Sequence, residues 1–407
     1  MLIALPLIAM VGVARGQGLD QILPGAIPGF QPEPGLARIT ARRADAQKLG
    51  YRVRDAQIMP SLTVTPGYDS APALGIDGSA LLGLAPQVRL IDPVLGIAGI
   101  LGVTQTDYAR TPRQNATNLI AALGWRVQAG PDRSDLGVAR VISAADALGL
   151  TGSAPVGAGL PYRVRLRAAR ADWRHRFGMV TLDVGIGASR SRIVARRLVP
   201  AFRAATTLQA RLRAISTRHA PLRWVGQIDA QHTHYAGVIS GAPFGTTEAV
   251  AAKIGLATPR HAIMTGRALV GLTRVQVAGV GHTGGLAPVF TVALGWMPDR
   301  LSAVGISVSR SDSIAEGLTL PGHPIDRAGL AVALGYDRHL VVEAGLRLTR
   351  AAVPGATAQA LVARAGLRWR IGRMMTVAPD LTEAWRHRVP GLAGREFRAE
   401  LELRFAP

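Results

Sequence analysis

From residue 395 to residue 405 the chain alternates without error: Phe397, Ala399, Leu401, Leu403 and Phe405 hold one parity, and Glu396, Arg398, Glu400, Glu402 and Arg404 hold the other. Successive side chains of a strand point to opposite faces, so this stretch predicts a strand with one apolar and one charged face. The pattern recurs upstream. Leu82, Leu84, Pro86, Val88 and Leu90 oppose Gln87 and Arg89; Leu208, Ala210 and Leu212 oppose Gln209, Arg211 and Arg213; Ala363, Ala365, Leu367, Trp369 and Ile371 oppose Arg364, Arg368 and Arg370. Gly, Pro and Asp punctuate the series, as at Asp92-Pro93 and Gly130-Pro131-Asp132, and mark turns. Further strands are expected over 94–110, 115–130, 179–192, 222–235, 246–257, 261–277, 286–296, 301–311, 329–334, 340–349 and 375–386.

One segment departs from strict alternation. Tyr162, Val164, Leu166 and Ala168 oppose Arg163, Arg165 and Arg167, but beyond Ala169 it is Arg170, Asp172, Arg174 and Arg176 that share a face. A one-residue slip of this kind predicts a β-bulge.

Many of these segments reach the roughly 9–11 residues that a tilted spanning strand needs, whereas soluble strands average about 5–6. Setting aside about 60 leading residues leaves roughly 350, and about 20 residues per strand and turn then give about 16–18 strands, an even number being expected. The fold class expected is all-β: a single antiparallel transmembrane β-barrel of that size behind a short irregular N-terminal leader. A secreted β-sandwich or β-solenoid is the competing reading, and the low aromatic content of 5% speaks for it, because interfacial belts call for Trp and Tyr. In a barrel the charged parity must face the lumen, since an Arg on the lipid face at mid-bilayer costs about 2–4 kcal/mol. That rule makes Arg163, Arg165, Arg167, Arg211, Arg213, Arg364, Arg368, Arg370, Arg398 and Arg404 candidate pore-lining residues, and an electropositive lumen would favour anionic solutes. Pairing of the same arginines with Asp and Glu across strands is the structural alternative.

The start of the chain has a different character. Residues 1–16 carry an apolar run, Leu2 to Val13, and a small-x-small site at Ala14-Arg15-Gly16, the pattern of a cleaved signal peptide. Residues 17–49 form a leader with Pro24, Pro28, Pro32 and Pro34, a composition that neither packs nor forms a helix, followed by a short helix expected within 37–49. The barrel is expected over 50–407. No run of about 18 apolar residues follows the N-terminus, which argues against spanning helices. With no cysteine, disulfides and thiolate metal sites are excluded. The net charge of +21 comes almost wholly from arginine, Lys48 and Lys253 being the two lysines. These arginines are dispersed among apolar residues, so nucleic acid is not the partner expected; lipid phosphates at a rim suit a planar guanidinium better.

No catalytic constellation is visible, and no cofactor or metal is called for. Gly152-Ser153, Ser302 and Ser307 lack the Gly-x-Ser-x-Gly setting of a nucleophile elbow. His232 and His234 share a strand face, but without a third ligand they read as rim or interface side chains. Glu400 and Glu402, flanked by Arg398 and Arg404, read as a salt-bridge ladder, and the Gly-rich run 279–285 as a hairpin loop.

Residues Gly50 to Ser70 carry a resemblance. A Gly50-Tyr51-Arg52 approach, a first strand Pro60-Ser61-Leu62-Thr63-Val64 and a turn Gly67-Tyr68-Asp69-Ser70, with a second Gly335-Tyr336-Asp337 and the closing amphipathic strand, resemble the type 2 β-barrel porin family of the outer membrane. The resemblance implies a cell outer membrane location in a Gram-negative bacterium. It also implies insertion by the barrel-assembly machinery, contact with outer-membrane lipid and lipopolysaccharide, and a part in exopolysaccharide or capsule production, export or surface attachment. An acidic polysaccharide would be the cargo or partner. A general anion-preferring porin and a structural or adhesion barrel plugged by residues 17–49 are the alternatives.

Overall fold

The computed structural model describes residues 27–28, 30, 50–70, 78–112, 115–144, 163–194, 204–216, 222–236, 245–258, 263–278, 285–299, 301–312, 324–337, 339–353, 356–372, 374–387 and 394–406. The expected signal peptide, the short helix and most of the leader lie outside the described residues.

Among the described residues every regular element is a strand. They are β1 (Tyr51–Val53), β2 (Ala56–Asp69), β3 (Ser79–Asp92), β4 (Ile97–Tyr108), β5 (Ala116–Ala129), β6 (Asp132–Ala144) and β7 (Arg163–Phe177). Then come β8 (Val180–Val194), β9 (Ala204–Ser216), β10 (Arg223–Ala236), β11 (Thr246–Ala257), β12 (Met264–Ala278) and β13 (Leu286–Trp296). The last six are β14 (Ser302–Asp312), β15 (Pro324–Gly335), β16 (Leu340–Val353), β17 (Ala356–Ile371), β18 (Met375–His387) and β19 (Gly394–Phe405). From β2 onward each strand pairs antiparallel with the next, and β19 pairs back onto β2, so that 18 strands close into a barrel without a free edge. β1 adds a short ribbon on the start of β2.

The closing seam explains part of the Gly50–Ser70 passage. Gly67, Tyr68 and Asp69, expected as a turn, are instead the end of β2, opposite Glu400, Ala399 and Arg398. A Cβ on Gly67 would lie 2.6 Å from the Ala399 carbonyl oxygen, so only glycine lets β19 approach there. Ser70 completes the seam: its N–H donates to the Phe397 carbonyl at 2.9 Å, and its Oγ accepts from the Phe397 N–H at 2.8 Å.

Two expectations are corrected. The slip expected in β7 is absent: its register with β6 and with β8 is unbroken from Arg163 to Arg174 and from Arg163 to Phe177. And β6, which the alternation does not flag, is a full strand of 13 residues.

The two ends of the barrel differ. Joined by 93–96, 130–131, 178–179, 217–222, 258–263, 297–301, 336–339 and 372–374, the strands meet at one end in connections of 2 to 6 residues. At the other end the connections include 70–78, 195–203, 237–245, 313–323 and the 18 residues 145–162. The outer face carries the exposed large apolar side chains, among them Leu84, Val138, Ile186, Leu212, Ile254, Val270, Leu346 and Leu381. All six tryptophans point outward, and five of them, Trp125, Trp173, Trp224, Trp296 and Trp369, stand within a few residues of the short-turn end. There Trp125 donates from Nε1 to the Leu95 carbonyl at 3.0 Å, and Trp173 to Asp132 at 3.1 Å.

Candidate functional site: the inner wall

The inner parity is rich in small, polar and charged residues, with buried apolar side chains such as Val225, Leu269 and Val289 among them, while the outer positions are taken mostly by aliphatics. Around the short-turn half of β5 to β11 it carries a ladder of ion pairs. Arg126 Nε lies 2.6 Å from Asp135 Oδ1, and Arg133 Nη2 lies 2.5 Å from Asp135 Oδ2. Arg211 reaches Asp172 at 3.2 Å. Asp183 is gripped from both sides, by Arg174 and, at 3.0 Å, by Arg213. Lys253 Nζ meets Asp229 at 2.9 Å, and Gln227 Nε2 donates to the same carboxylate at 2.8 Å. Six cations therefore share four carboxylates in this ladder, so the inner wall here is basic after pairing.

A second network spans β16 to β19. Arg368 meets Glu343 at 3.3 Å, Arg364 meets Asp380 at 2.7 Å, and Arg398 meets Glu400 at 2.5 Å. Nearer the long-connection end Arg386 and Glu396 form a buried pair at 2.8 Å. Beside them Arg327, Arg347 and Arg364 stand on three adjacent strands at diagonal register positions, Arg347 opposite Gly329 and Val362, with its side chain exposed on the inner parity. Diagonal neighbours in a sheet are within reach of long side chains, so this trio gathers three guanidiniums where an anion could meet them.

The ten arginines singled out by alternation divide. Arg211, Arg213, Arg364, Arg368, Arg370, Arg398 and Arg404 hold the inner parity. Arg165 and Arg167 do not: they are exposed on the outer face while Val164 and Leu166 are buried inside, and Arg163 holds the same backbone parity as Arg165. These residues open β7 at its long-connection end; in a membrane-spanning barrel the cost that drives arginine off the lipid face applies at mid-bilayer and falls to about 0–1 kcal/mol near the interface. Alternation alone missed Arg126, Arg133, Arg327, Arg347, Lys253 and Arg267 on the inner side, although Arg126 and Arg133 flank the turn Gly130-Pro131. His232 and His234 point outward at the long-connection end, where His232 Nδ1 is 3.1 Å from Glu248 and His234 Nδ1 is 3.4 Å from Thr246 Oγ1.

The inner wall also has apolar stretches, one of them beside the ladder and another at Ala249, Val275 and Val277. Just above the ladder, Ile100, Ala122, Ala139, Val141 and Leu166 enclose Ile27 and Phe30 of the leader, whose exposures are 2% and 0%. Gly124 and Gly137 are register partners that leave room for this segment. A Cβ on Gly124 would stand 2.5 Å from the Pro28 carbonyl oxygen, and one on Gly137 would stand 2.6 Å from both that oxygen and Phe30 Cε2. The Phe30 N–H donates back to the Ile27 carbonyl at 3.2 Å, and the Arg170 guanidinium carbon lies 5.9 Å from the Phe30 ring centroid, within cation–π range. Residues 27, 28 and 30 of the leader, expected from its composition not to pack, are thus seated inside the barrel.

No protein-family model and no curated protein sequence matches the chain, and the family resemblance of Gly50–Ser70 gains no support from either comparison. Among solved structures the chain is similar to the FrpB iron transporter of Neisseria meningitidis (F5-1 variant), with 11% identity and a TM-score of 0.47 over 81% of this chain and 63% of that one. It therefore spans less than two thirds of that transporter's length. It is also similar to the outer membrane protein OpdK of Pseudomonas aeruginosa (11% identity, TM-score 0.45, 86% of this chain and 98% of that one). OccK2 (OpdF) of the same organism matches at 9% identity and a TM-score of 0.46, over 88% of this chain and 98% of that one.

Proposed function

We propose that this barrel spans the outer membrane of a Gram-negative bacterium with its long connections outward, and that its inner wall serves anionic solutes. Short periplasmic turns, longer external loops and an aliphatic outer band are the pattern of such barrels, and the eighteen-strand closure and girdle of tryptophans support the placement. The observation that carries the solute class is the cation excess of the inner ladder: six cations share four carboxylates, which leaves net positive charge on the wall. The Gly50–Ser70 resemblance adds a narrower reading, in which the anion is a polysaccharide with acidic sugars being exported or docked. Transport, not catalysis, is the activity this wall supports.

A second reading, the plugged barrel, is favoured by the seat of Ile27 and Phe30 on the inner wall. Single-channel conductance and ion selectivity in a planar bilayer distinguish the two, comparing residues 17–407 with a version lacking 17–49. An anion-selective conductance in both versions supports the open passage. Conductance that appears only without 17–49 supports a plug. A cation-selective pore in either version refutes the anionic assignment, and the absence of any heat-modifiable barrel on a gel refutes the membrane placement.

A further inference from the structure

Five of the arginines that face outward form a patch. On β6, β7 and β8 the exposed outer residues at the long-connection end are Arg140, Arg165, Arg167, Arg190 and Arg192. They are in register: Arg140 lies directly opposite Arg167, Arg167 opposite Arg190, and Arg165 opposite Arg192. Like charges placed directly opposite on adjacent strands destabilise a sheet, so this arrangement calls for an anion between them. Elsewhere on the same rim the chain supplies that anion itself. His232 faces Glu248, Arg395 faces Glu383, and Arg310 binds Asp326 at 2.6 Å. On the outer face of β6 to β8, among the described residues, no carboxylate stands beside the five arginines; the outer-face Asp132 lies at the far end, bound to Trp173 and His175.

Height and surroundings identify the missing anion. Along β7 ten residues separate Phe177, at the short-turn interface, from Arg167. At about 3.3 Å per residue and a tilt of about 40°, that is a rise of about 25 Å, the height of the apolar band of such a barrel. The patch therefore sits at headgroup level on the outward leaflet. Immediately below it the outer face is exposed and apolar, with Leu136, Val138 and Ile186 at 44%, 55% and 59% exposure. A ligand that meets both surfaces has a phosphorylated head and acyl chains, which a soluble acidic polymer lacks.

We infer that the β6–β8 arginine patch binds the phosphate groups of lipopolysaccharide in the outer leaflet. Arg165 and Arg192, and Arg167 and Arg190, clamp the phosphates as charge-assisted hydrogen-bond donors, while the acyl chains lie on Leu136, Val138 and Ile186. This rests on the outer-membrane placement proposed above but not on what passes through the lumen.

The test uses the full chain in detergent, titrated with purified lipid A and, separately, with the same lipid A after phosphatase treatment, with bound lipid read by native mass spectrometry. Phosphorylated lipid A is expected to bind at least about tenfold more tightly. The variant Arg165→Gln/Arg167→Gln/Arg190→Gln/Arg192→Gln is expected to lose on the order of a hundredfold or more in affinity, each arginine near an anionic headgroup layer contributing about a factor of five. Arg310→Gln, which removes a rim arginine already paired with Asp326, is expected to bind as the unmodified chain does. Equal affinity for the two lipids overturns the inference without any variant, and so does undiminished binding by the quadruple variant. Insertion into vesicles, scored by heat-modifiable migration, separates failure of this site from failure of the membrane placement.

Discussion

Replacing Gly137 by alanine puts one methyl group where the leader is seated. Gly137 has no positive φ, so alanine fits the backbone of β6, but its Cβ would lie 2.6 Å from Phe30 Cε2 and 2.6 Å from the Pro28 carbonyl oxygen. An aromatic ring can tilt away; a backbone carbonyl moves only with its segment. The balance it disturbs is small. Burying Phe30 and Ile27 contributes about 3–6 kcal/mol at about 1.5–3 kcal/mol per side chain, while ordering residues 27–30 costs about 4–8 kcal/mol at about 1–2 kcal/mol per residue. With the two terms close to equal, a loss of about 3 kcal/mol shifts the seated-to-released ratio by about a hundredfold. Phe30→Ala, which removes a fully buried ring, reaches the same state from the other side of the contact, at about 3–5 kcal/mol. Single-channel recording is expected to show longer or larger openings for Gly137→Ala and Phe30→Ala, and limited proteolysis to show faster cleavage near residue 30. Gly226→Ala, where a Cβ meets nothing within 4 Å, is the control and should match the unmodified chain. If all three variants conduct and resist protease like the unmodified chain, the seated segment does not govern access to the lumen.

Three further outcomes follow from the same geometry. Asp183→Asn leaves Arg174 and Arg213 without their shared carboxylate, and about 3 kcal/mol of stability should be lost, the low end for breaking a buried pair because the lumen is wet; urea unfolding in vesicles checks this, and anion selectivity should rise in the same variant. Ile186→Arg places a charge at mid-band on the outer face, where the side chain is 59% exposed, and should cost about 2–4 kcal/mol in the same assay, whereas Arg167→Leu at the rim should cost less than about 1 kcal/mol. Tryptophan fluorescence should be quenched most by lipids brominated near the headgroup, because five of the six rings stand at one interface; maximal quenching by labels at the chain ends would contradict the assigned band.

Alternation made the barrel legible where both faces keep one chemistry through the whole depth. β9, β17 and β19 are such strands, and their parity could be read directly. β6 and β7 could not, for one shared reason. Their inner faces carry Ala139, Val141 and Leu166, because the leader packs there, and their outer faces carry Arg140, Arg165 and Arg167 toward the long-connection end. Each face thus changes character along the strand. A reading that assigns one chemistry to each face must then either skip the strand, as for β6, or introduce a bulge, as for β7. The ion partners were hidden for another reason: Asp183 finds Arg213 thirty residues away only through the pairing register of β8 and β9, which single-strand patterns do not contain.

The low aromatic content counts against a membrane barrel, but the placement of the tryptophans counts for the one proposed here. A belt of aromatics stabilises an interface by placing an apolar ring with a polar edge at the headgroup boundary, and six tryptophans suffice when every one points outward and five share one end. At the opposite end Arg140, Arg165, Arg167, Arg190 and Arg192 occupy the same outer rows on β6 to β8. An interface rich in phosphate is matched better by guanidinium than by indole, since the planar fork donates two hydrogen bonds to one phosphate while its stem lies on the apolar band. The two rims of this barrel therefore differ in composition as the two leaflets of an asymmetric membrane differ in headgroup, and the arginine excess that invited a nucleic-acid reading of the sequence divides between a basic lumen and one basic outer rim.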